Sequence, residues 1–259
     1  FGRQTLIDRL LNEIEQNRFI TVIGPSGSGK SSVVHAGLIP ALRSGSIIGT
    51  DNWFIADMTP STHPFEELAT ALLGIAASPA IPILQLFSGH ENGISEAIKL
   101  SLPSPDSQLV LVIDQFEEVF TLTEGEDERV QFLNGLLHAV NDSESCVRLV
   151  ITMRADFYDR PLLYPEFGEL VRTHLETILP LTRTQLEEVI TYPIVQSGAL
   201  MEAGLIEMII QDVEQQPGAL PLLQYALTEL FERHDGGMLT IAAYNDIGGV
   251  VGALARRAE

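Results

Sequence analysis

The sequence FITVIGPSGSGKS occupies residues 19–31, and the prediction of the fold starts from it. Its first part, residues 19–23, is a short run of apolar and mostly β-branched residues, which is typical of a buried parallel strand. Its second part, residues 24–31, fits the pattern GxxxxGK(S/T) at every defined position. Residues 32–42, which follow, can form a helix. A strand, a glycine-rich loop and a helix in this order predict a phosphate-binding loop (P-loop).

The chemistry of such a loop assigns a role to each residue type. Glycines let backbone N–H groups turn toward phosphate oxygens, and the start of the next helix adds a partial positive charge. Lys30 can reach the β- and γ-phosphates, and the Ser31 hydroxyl can bind Mg²⁺. The alternative interpretation is a glycine-rich turn that matches by chance. The candidate nucleotide-binding residues here are Gly24, Pro25, Ser26, Gly27, Ser28, Gly29, Lys30, Ser31 and Ser32.

The rest of residues 1–181 alternates predicted strands with predicted helices. Apolar runs predict strands at residues 53–58, 109–113, 147–152 and 174–179. Apolar spacing and proline positions predict helices at residues 4–17, 64–75, 91–102 and 126–140, with an irregular stretch at 76–89. This alternation predicts an α/β fold with a doubly wound parallel sheet that is covered on both faces.

A change of pattern at residues 180–182 predicts a domain boundary. Thr182 and Gln185 fit a capping box, which opens a predicted helix that runs to residue 197. Further helices are predicted at residues 203–215 and 220–234, and only helices are expected in this region. We predict a P-loop nucleotide-binding domain at residues 1–181 and a small all-helical, lid-like domain at 182–259, and leave open that it leads into a winged helix.

Composition limits the classes of function. Lys+Arg 15 against Asp+Glu 35 gives a net charge of −20, which disfavours a broad nucleic-acid-binding face without excluding a local basic groove. Cys146 is the only cysteine, so an internal disulfide is excluded and a reducing cytoplasm is expected. The chain begins at Phe1 with no signal peptide pattern, so we expect a cytoplasmic piece of a longer protein. The charge-free stretch 68–90 contains Pro79 and Pro82 and predicts a helix followed by a loop, not a membrane span.

Three acidic residues follow the most apolar predicted strand. Asp114 ends that run, where an acid can hold Mg²⁺ beside the phosphates. Glu117 and Glu118 come soon after it, and either carboxylate could orient or activate the attacking water. The alternative for this pair is a solvated acidic helix start, which the helix dipole favours. The sequence leaves open which of the two would act on the water.

Arg154 follows the predicted strand at residues 147–152. An arginine at the tip of such a strand points toward the γ-phosphate position in an open parallel sheet and could distinguish triphosphate from diphosphate. The alternative is a surface ion pair with Asp156 or Asp159. Among the candidates, Lys30, Asp114, Glu117, Glu118 and Arg154 are the expected catalytic residues, with Ser31 and Asp114 on the metal.

Several segments in combination resemble the Novel STAND NTPase 1 group of prokaryotic STAND NTPases. They are GPSGSGKSS, LVLVIDQFEEVF, ITMRADFYDRP, EQQPGALPLLQYALTELFERH and LTIAAYNDIGGVVGALARRAE, together with the opening FGRQTLIDRL. The resemblance covers residues 1–259 and implies a nucleotide-dependent switch of the AAA+-related P-loop class. Relatives often carry a winged helix, a repeat sensor such as WD40, and an upstream effector.

The resemblance also implies roles for single residues. It makes residues 24–31 the Walker A loop, Asp114 the Walker B acid and Arg154 a sensor of the γ-phosphate. It places Pro221 against the base, with Gly2 and Arg3 near the base from the other side. AAA+ motors carry Glu directly after the Walker B acid, where this chain has Gln115, so slow hydrolysis is expected.

The expected function is therefore a STAND-type signalling switch, with a role in defence or stress response left open. It is expected to bind ATP/ADP and Mg²⁺, with ATP favoured over GTP, to form homo-oligomers when triphosphate-bound, and to act with fused or associated sensor and effector domains. Membrane association is not expected and nucleic acid is disfavoured. Two alternatives stay open: an AAA+ remodelling or DNA-associated motor, and a nucleotide-binding module without turnover. The sequence leaves the trigger, the effector output, the resting oligomeric state and the base preference undetermined.

Overall fold

A computed structural model of the protein describes residues 2–47, 49–50, 52–76, 83–87, 92–214, 218, 220–233, 237–250 and 252. Its contacts divide the chain into two compact units. The first, called here the sheet unit, comprises Thr5–Gly24 and Lys30–Ile178. The second, called the helical unit, comprises Phe1–Gln4, Pro25–Gly29 and Leu179–Glu259. The boundary between residues 181 and 182 stays a prediction.

The sheet unit is built on a five-stranded sheet with the order β2-β3-β4-β1-β5, in which all neighbours are parallel. The strands of this sheet are β1 (Phe19–Gly24), β2 (Trp53–Met58), β3 (Gln108–Ile113), β4 (Val147–Arg154) and β5 (Leu175–Thr177). The predicted α/β fold with a parallel sheet is confirmed.

Helices cover both faces of this sheet, because alternate residues of each strand face opposite sides. On one side, Leu111 and Ile151 join an apolar core. On the other, Val112 and Val150 join a second core. The helices of this unit are α1 (Gln4–Gln16), α2 (Lys30–Val33), α3 (Ile39–Arg43), α4 (Pro64–Ile75), α5 (Ile83–Phe87), α6 (Gly93–Ser101), α7 (Glu118–Thr121), α8 (Glu126–Asn141) and α9 (Pro165–Thr173).

Some elements of the sheet unit differ from the prediction. The helix predicted at residues 32–42 is interrupted by a π-helical turn, Val34–Leu38. Pro40, the second residue of the helix that follows, cannot donate a helical hydrogen bond. Helix α5 lies in the stretch predicted as irregular, of which residues 77–82 and 88–89 lie outside the described residues. Helices α7 and α9 were not predicted, since their apolar spacing is short and they follow turns.

Strand order places the ends of three strands side by side. Strand β4 lies between β1 and β3, with Gly24 opposite Arg154 and Ile113 opposite Ile151. The carboxyl ends of parallel strands meet at one edge of a sheet, where ligands bind in open α/β folds. The P-loop and Asp114 therefore follow strands that flank β4.

The helical unit has its own apolar core, which includes Ile190, Ile209 and Leu230. Its helices are α10 (Arg183–Gln196), α11 (Leu205–Glu214), α12 (Leu220–Glu232) and α13 (Ile241–Asp246). Thr182 and Gln185 form the predicted capping box at the start of α10. The ends predicted at residues 215 and 234 lie outside the described residues.

The region after Thr182 also contains a feature that the sequence pattern did not indicate. Strands β6 (Leu200–Met201) and β7 (Met238–Leu239) pair in parallel. Two-residue strands are too short to show an alternating pattern, so the expectation of helices only was incomplete. Within the described ranges, no helix has both the length and the apolar character needed to cross a membrane.

Candidate functional site

The P-loop leaves the sheet at Gly24, and the next helix begins at Lys30. Between them, Gly27 and Gly29 have φ values of 70° and 89°, in the left-handed region that favours glycine. Gly27 also lies close to another backbone, since a Cβ there would be 2.6 Å from the Gly218 carbonyl oxygen. A side chain at residue 27 would therefore disturb the loop.

The hydroxyl of Ser28 is buried in this loop and lacks a hydrogen-bond partner among the described residues. A buried polar atom without a partner is unfavourable unless a ligand or water satisfies it. The neighbouring Pro25, Ser26 and Ser32 are exposed. The loop thus combines three exposed residues, left-handed glycines and a buried hydroxyl without a partner, and left-handed backbone is what turns successive N–H groups toward a phosphate.

Lys30 begins the helix after the loop and is buried, with 9% of its surface exposed. Its Nζ donates a hydrogen bond to the Gly24 carbonyl oxygen at 3.1 Å. Burial lowers the pKa of the Lys30 ammonium group from its ordinary value of 10.5, because desolvation disfavours the charged form. A phosphate group beside this ammonium would offset that penalty.

Ser31 and Asp114 form the best candidate for holding Mg²⁺. The Ser31 Oγ donates a hydrogen bond to Asp114 Oδ1 at 2.9 Å, and Asp114 is 8% exposed. The other carboxylate oxygen, Oδ2, is 3.7 Å from His35 Nε2. The described residues contain no cluster of three or more His, Cys, Asp or Glu that could hold a metal. One hydroxyl and one carboxylate fit Mg²⁺, which is bound by few protein oxygens together with phosphates and water.

Glu117 lies beside the last residue of β4. It is 7% exposed, and its Oε2 accepts a hydrogen bond from the Arg154 backbone N–H at 3.2 Å. Burial raises the pKa of the Glu117 carboxyl above its ordinary value of 4.5, and the nearby Lys30 ammonium opposes the shift. A buried carboxylate with a raised pKa can accept a proton from water more readily than an exposed one.

Glu118 faces a different place. Its Oε2 accepts a hydrogen bond from the Ser61 backbone N–H at 3.0 Å. It lines an open cleft of about 600 Å³, shared with His35, Asp57 and Asp114. The structure therefore separates the two glutamates: Glu117 is buried beside Arg154, whereas Glu118 forms a wall of this cleft.

Glu117 and Glu118 both have helical backbone at the start of α7, where consecutive side chains point about 100° apart. The turn that precedes them is at Gln115. Its φ of 56° is left-handed, and its N–H donates to Thr152 Oγ1 at 3.1 Å. The turn buries the Phe116 ring at 0% exposure and leaves the Gln115 side chain exposed. Glu117 then comes next to the end of β4.

Arg154 is the last residue of β4, not a residue after the strand as predicted. Its guanidinium forms two hydrogen bonds with the Asp156 carboxylate, of 2.6 Å from Nη2 and 3.1 Å from Nε. Asp156 raises the pKa of the Arg154 guanidinium by this pairing. The ion pair considered in the sequence analysis is therefore present, with Asp156.

The three residues predicted to contact the base lie in the helical unit. Arg3 Nη2 donates to the carbonyl oxygens of Leu179 at 2.8 Å and Ser28 at 3.4 Å. Gly2 has a φ of 70° and packs closely on Gln185. Pro221 is exposed in the first turn of α12. Of the sequence around it, Pro217 and Ala219 lie outside the described residues.

Two residues near Asp114, Thr152 and His35, are not among the predicted site residues. Thr152 is fully buried, donates its hydroxyl to Asp114 Oδ1 and accepts from the Gln115 N–H. The sequence feature that could have indicated Thr152 is a hydroxyl residue near the end of an apolar predicted strand. His35 lies four residues after Ser31, in the π-helical turn Val34–Leu38, and its Nε2 is 3.7 Å from Asp114 Oδ2.

Comparison with known proteins identifies the family. The family model described as Novel STAND NTPase 1 matches residues 1–259. No curated protein matches the chain.

Solved structures with a similar fold include the following three proteins. Aeropyrum pernix ORC1 in complex with DNA has a TM-score of 0.63 and 16% identity, over 98% of this chain and 65% of that chain. Aeropyrum pernix ORC2, described as ADPNP-ADP complexes, has a TM-score of 0.64 and 15% identity, over 98% and 67%. Cdc6p from Pyrobaculum aerophilum has a TM-score of 0.60 and 14% identity, over 96% and 63%. The chain thus spans about two thirds of these proteins, and at such identities the likeness concerns the fold.

Proposed function

Since the chain belongs to the Novel STAND NTPase 1 family, we propose that it is an ATP-dependent switch that hydrolyses ATP slowly and assembles when triphosphate is bound. The family and the P-loop fold support nucleotide-dependent NTPase activity in general. The proposal goes further in four respects: the preference for ATP, the slow rate of hydrolysis, signalling with sensor and effector domains, and a cytoplasmic location.

One observation carries the proposal: the hydrogen bond from Ser31 Oγ to Asp114 Oδ1, at the mouth of a loop that ends in the buried Lys30. Ser31 lies on helix α2 and Asp114 follows strand β3, so the two side chains come from separate elements and meet where a phosphate loop needs a metal. A chance glycine-rich turn would not bring a buried acid to the serine of the motif.

Each residue has a proposed task in binding. Residues 24–32 hold the phosphates through backbone N–H groups and the Lys30 ammonium. Ser31 and Asp114 hold Mg²⁺, which neutralises phosphate charge when bound. Gly2, Arg3 and Pro221 contact the base.

Glu117 is the proposed residue for orienting the attacking water and accepting its proton. Its raised pKa suits a general base, and its hydrogen bond to the Arg154 N–H holds its orientation. Glu118 is directed to Ser61 and is not proposed for this task. Gln115, the residue directly after Asp114, carries no charge and is exposed, which supports slow turnover.

Arg154 is the proposed source of the difference between triphosphate and diphosphate. A ligand shifts an equilibrium only if it contacts the two states differently. Arg154 is held by an exposed carboxylate, Asp156, and a γ-phosphate could take the place of that carboxylate with a charge-assisted bond. ADP lacks this group and would leave the ion pair intact.

The experiment measures assembly by size-exclusion chromatography with light scattering in ADP and in a slowly hydrolysed ATP analogue. The parent should assemble in the analogue alone. Arg154→Ala should still bind ADP but no longer assemble. Arg172→Ala is the matched control, because Arg172 is also exposed and forms a two-bond ion pair, with Glu169. Assembly of Arg154→Ala like the parent would contradict the sensor role.

A second candidate function, a DNA-associated motor, is favoured by the fold likeness to Aeropyrum pernix ORC1, whose structure was solved in complex with DNA. The net charge of −20 opposes it. Strong stimulation of ATP hydrolysis by duplex DNA at low salt would support the motor and reject the switch. A third candidate, a module without turnover, would show binding and no hydrolysis.

A further inference from the structure

Thr152 is a polar residue in apolar surroundings. It lies in the central strand β4 with 0% of its surface exposed. Its register partner on β1 is Val22, and two residues earlier on its own strand is Val150. A valine, which has the same shape, would pack here, so the buried hydroxyl is favourable only if it makes hydrogen bonds.

The Thr152 hydroxyl makes two such hydrogen bonds, one with Asp114, the proposed Mg²⁺ ligand, and one with the residue after it. It donates to Asp114 Oδ1 and accepts from the Gln115 backbone N–H at 3.1 Å. Asp114 Oδ1 also accepts the Ser31 hydroxyl at 2.9 Å. Two donors on Oδ1 restrict the orientation of the carboxylate, and the other oxygen, Oδ2, lies 3.7 Å from His35 Nε2. Asp114 and His35 both line the cleft.

We propose that Thr152 is a positioning residue that orients the Asp114 carboxylate for Mg²⁺ through the hydrogen bond from its hydroxyl. Groups that hydrogen-bond a metal ligand orient it, and their loss weakens metal affinity about 10- to 100-fold. The inference rests on the proposed function of the Ser31–Asp114 pair. It adds a hydrogen bond that connects Asp114, the proposed Mg²⁺ ligand, with β4, the strand that ends in Arg154.

Thr21 provides a matched control in the same sheet. It is also a threonine at 0% exposure, on the neighbouring strand β1, and its Oγ1 has no hydrogen-bond partner among the described residues. Thr21→Val and Thr152→Val therefore make the same chemical change at the same burial. Only the second removes hydrogen bonds.

The experiment titrates Mg²⁺ into the protein with a fluorescent, slowly hydrolysed ATP analogue and measures nucleotide affinity at each concentration. Thr152→Val should need a Mg²⁺ concentration about 10- to 100-fold higher for the half-maximal change in nucleotide affinity. In EDTA, Thr152→Val should bind the analogue with the same affinity as the parent. Thr152→Ser, which keeps the hydroxyl, and Thr21→Val should follow the parent. A melting curve checks that each variant is folded.

The outcomes separate this inference from the proposed function. If Asp114→Asn weakens the response to Mg²⁺ but Thr152→Val does not, the inference about Thr152 is wrong and the metal site stands. If Asp114→Asn itself responds like the parent, the metal site of the proposed function is wrong. If Thr152→Val does not fold, Thr152→Ser decides the question. A weakened response to Mg²⁺ in Thr152→Ser, which keeps the hydroxyl, overturns the inference. A parent-like response in Thr152→Ser together with a weakened response in Thr152→Ala supports it.

Discussion

Replacement of Glu117 by glutamine tests the division of labour between the two glutamates. Glutamine has the same shape, and its carbonyl oxygen can still accept the Arg154 N–H bond that Glu117 accepts at 3.2 Å. The change therefore removes the proton acceptor and keeps the local structure. General bases contribute about 10²- to 10⁴-fold to rate, which corresponds to about 3 to 5 kcal/mol of the barrier. We expect a loss of hydrolysis in this range with unchanged ATP affinity.

The same substitution, Glu117→Gln, should lower the rate of hydrolysis but raise the stability of the folded protein. Burial raises the pKa of the Glu117 carboxyl above 4.5, so the folded protein binds this proton more tightly than the unfolded chain does. The penalty of the buried charge is absent below pH 4.5, grows as pH rises through the raised pKa, and is complete above it. Glu117→Gln should therefore melt at a higher temperature than the parent at pH 7, and this difference should shrink as pH falls toward 4.5.

Single-turnover hydrolysis with excess protein measures the chemical step apart from product release. In the parent, the rate should fall on the acid side of the raised pKa, and Glu117→Gln should lack this limb. Glu118→Gln is the control, since its carbonyl oxygen can keep the Ser61 N–H bond and it should lose less than about tenfold. A larger loss in Glu118→Gln than in Glu117→Gln would refute the assignment. If both variants hydrolyse ATP at the rate of the parent, these two acids have only a structural role.

Three further substitutions and one control test the P-loop and the packing of Phe116. Lys30→Ala should remove most ATP and ADP affinity by calorimetry, because a buried cation on the phosphates is lost. Gly27→Ala should weaken nucleotide binding, whereas Gly45→Ala, with a similar φ of 75° but open space around it, should only lower stability by about 1 to 2 kcal/mol in denaturant unfolding. Phe116→Leu should destabilise by about 1 to 3 kcal/mol, since it removes ring contacts with Phe167 and Phe120. Parent-like binding in folded Lys30→Ala would reject the P-loop interpretation, and parent stability in Phe116→Leu would reject the estimate for the rings.

The sequence alone determined strand β1, the loop and the helix after it, because the pattern of residues 19–31 is local and each part depends on its own neighbours. It also predicted the other strands, since a parallel sheet covered on both faces requires apolar runs such as residues 109–113. Asp114 could be selected because a single acid directly follows that run. The short helix α7 and strands β6 and β7 could not be predicted, because they contain too few residues to show a period.

Only the tertiary structure decided how the side chains around Asp114 divide their tasks. Glu117 and Glu118 are neighbours in sequence, yet at the start of helix α7 one lies buried beside Arg154 and the other accepts the Ser61 N–H. Thr152 lies 38 residues from Asp114 and touches it only because β4 lies beside β3. Hydrogen bonds of this kind depend on strand order and backbone direction, and neither is encoded in the spacing of apolar residues.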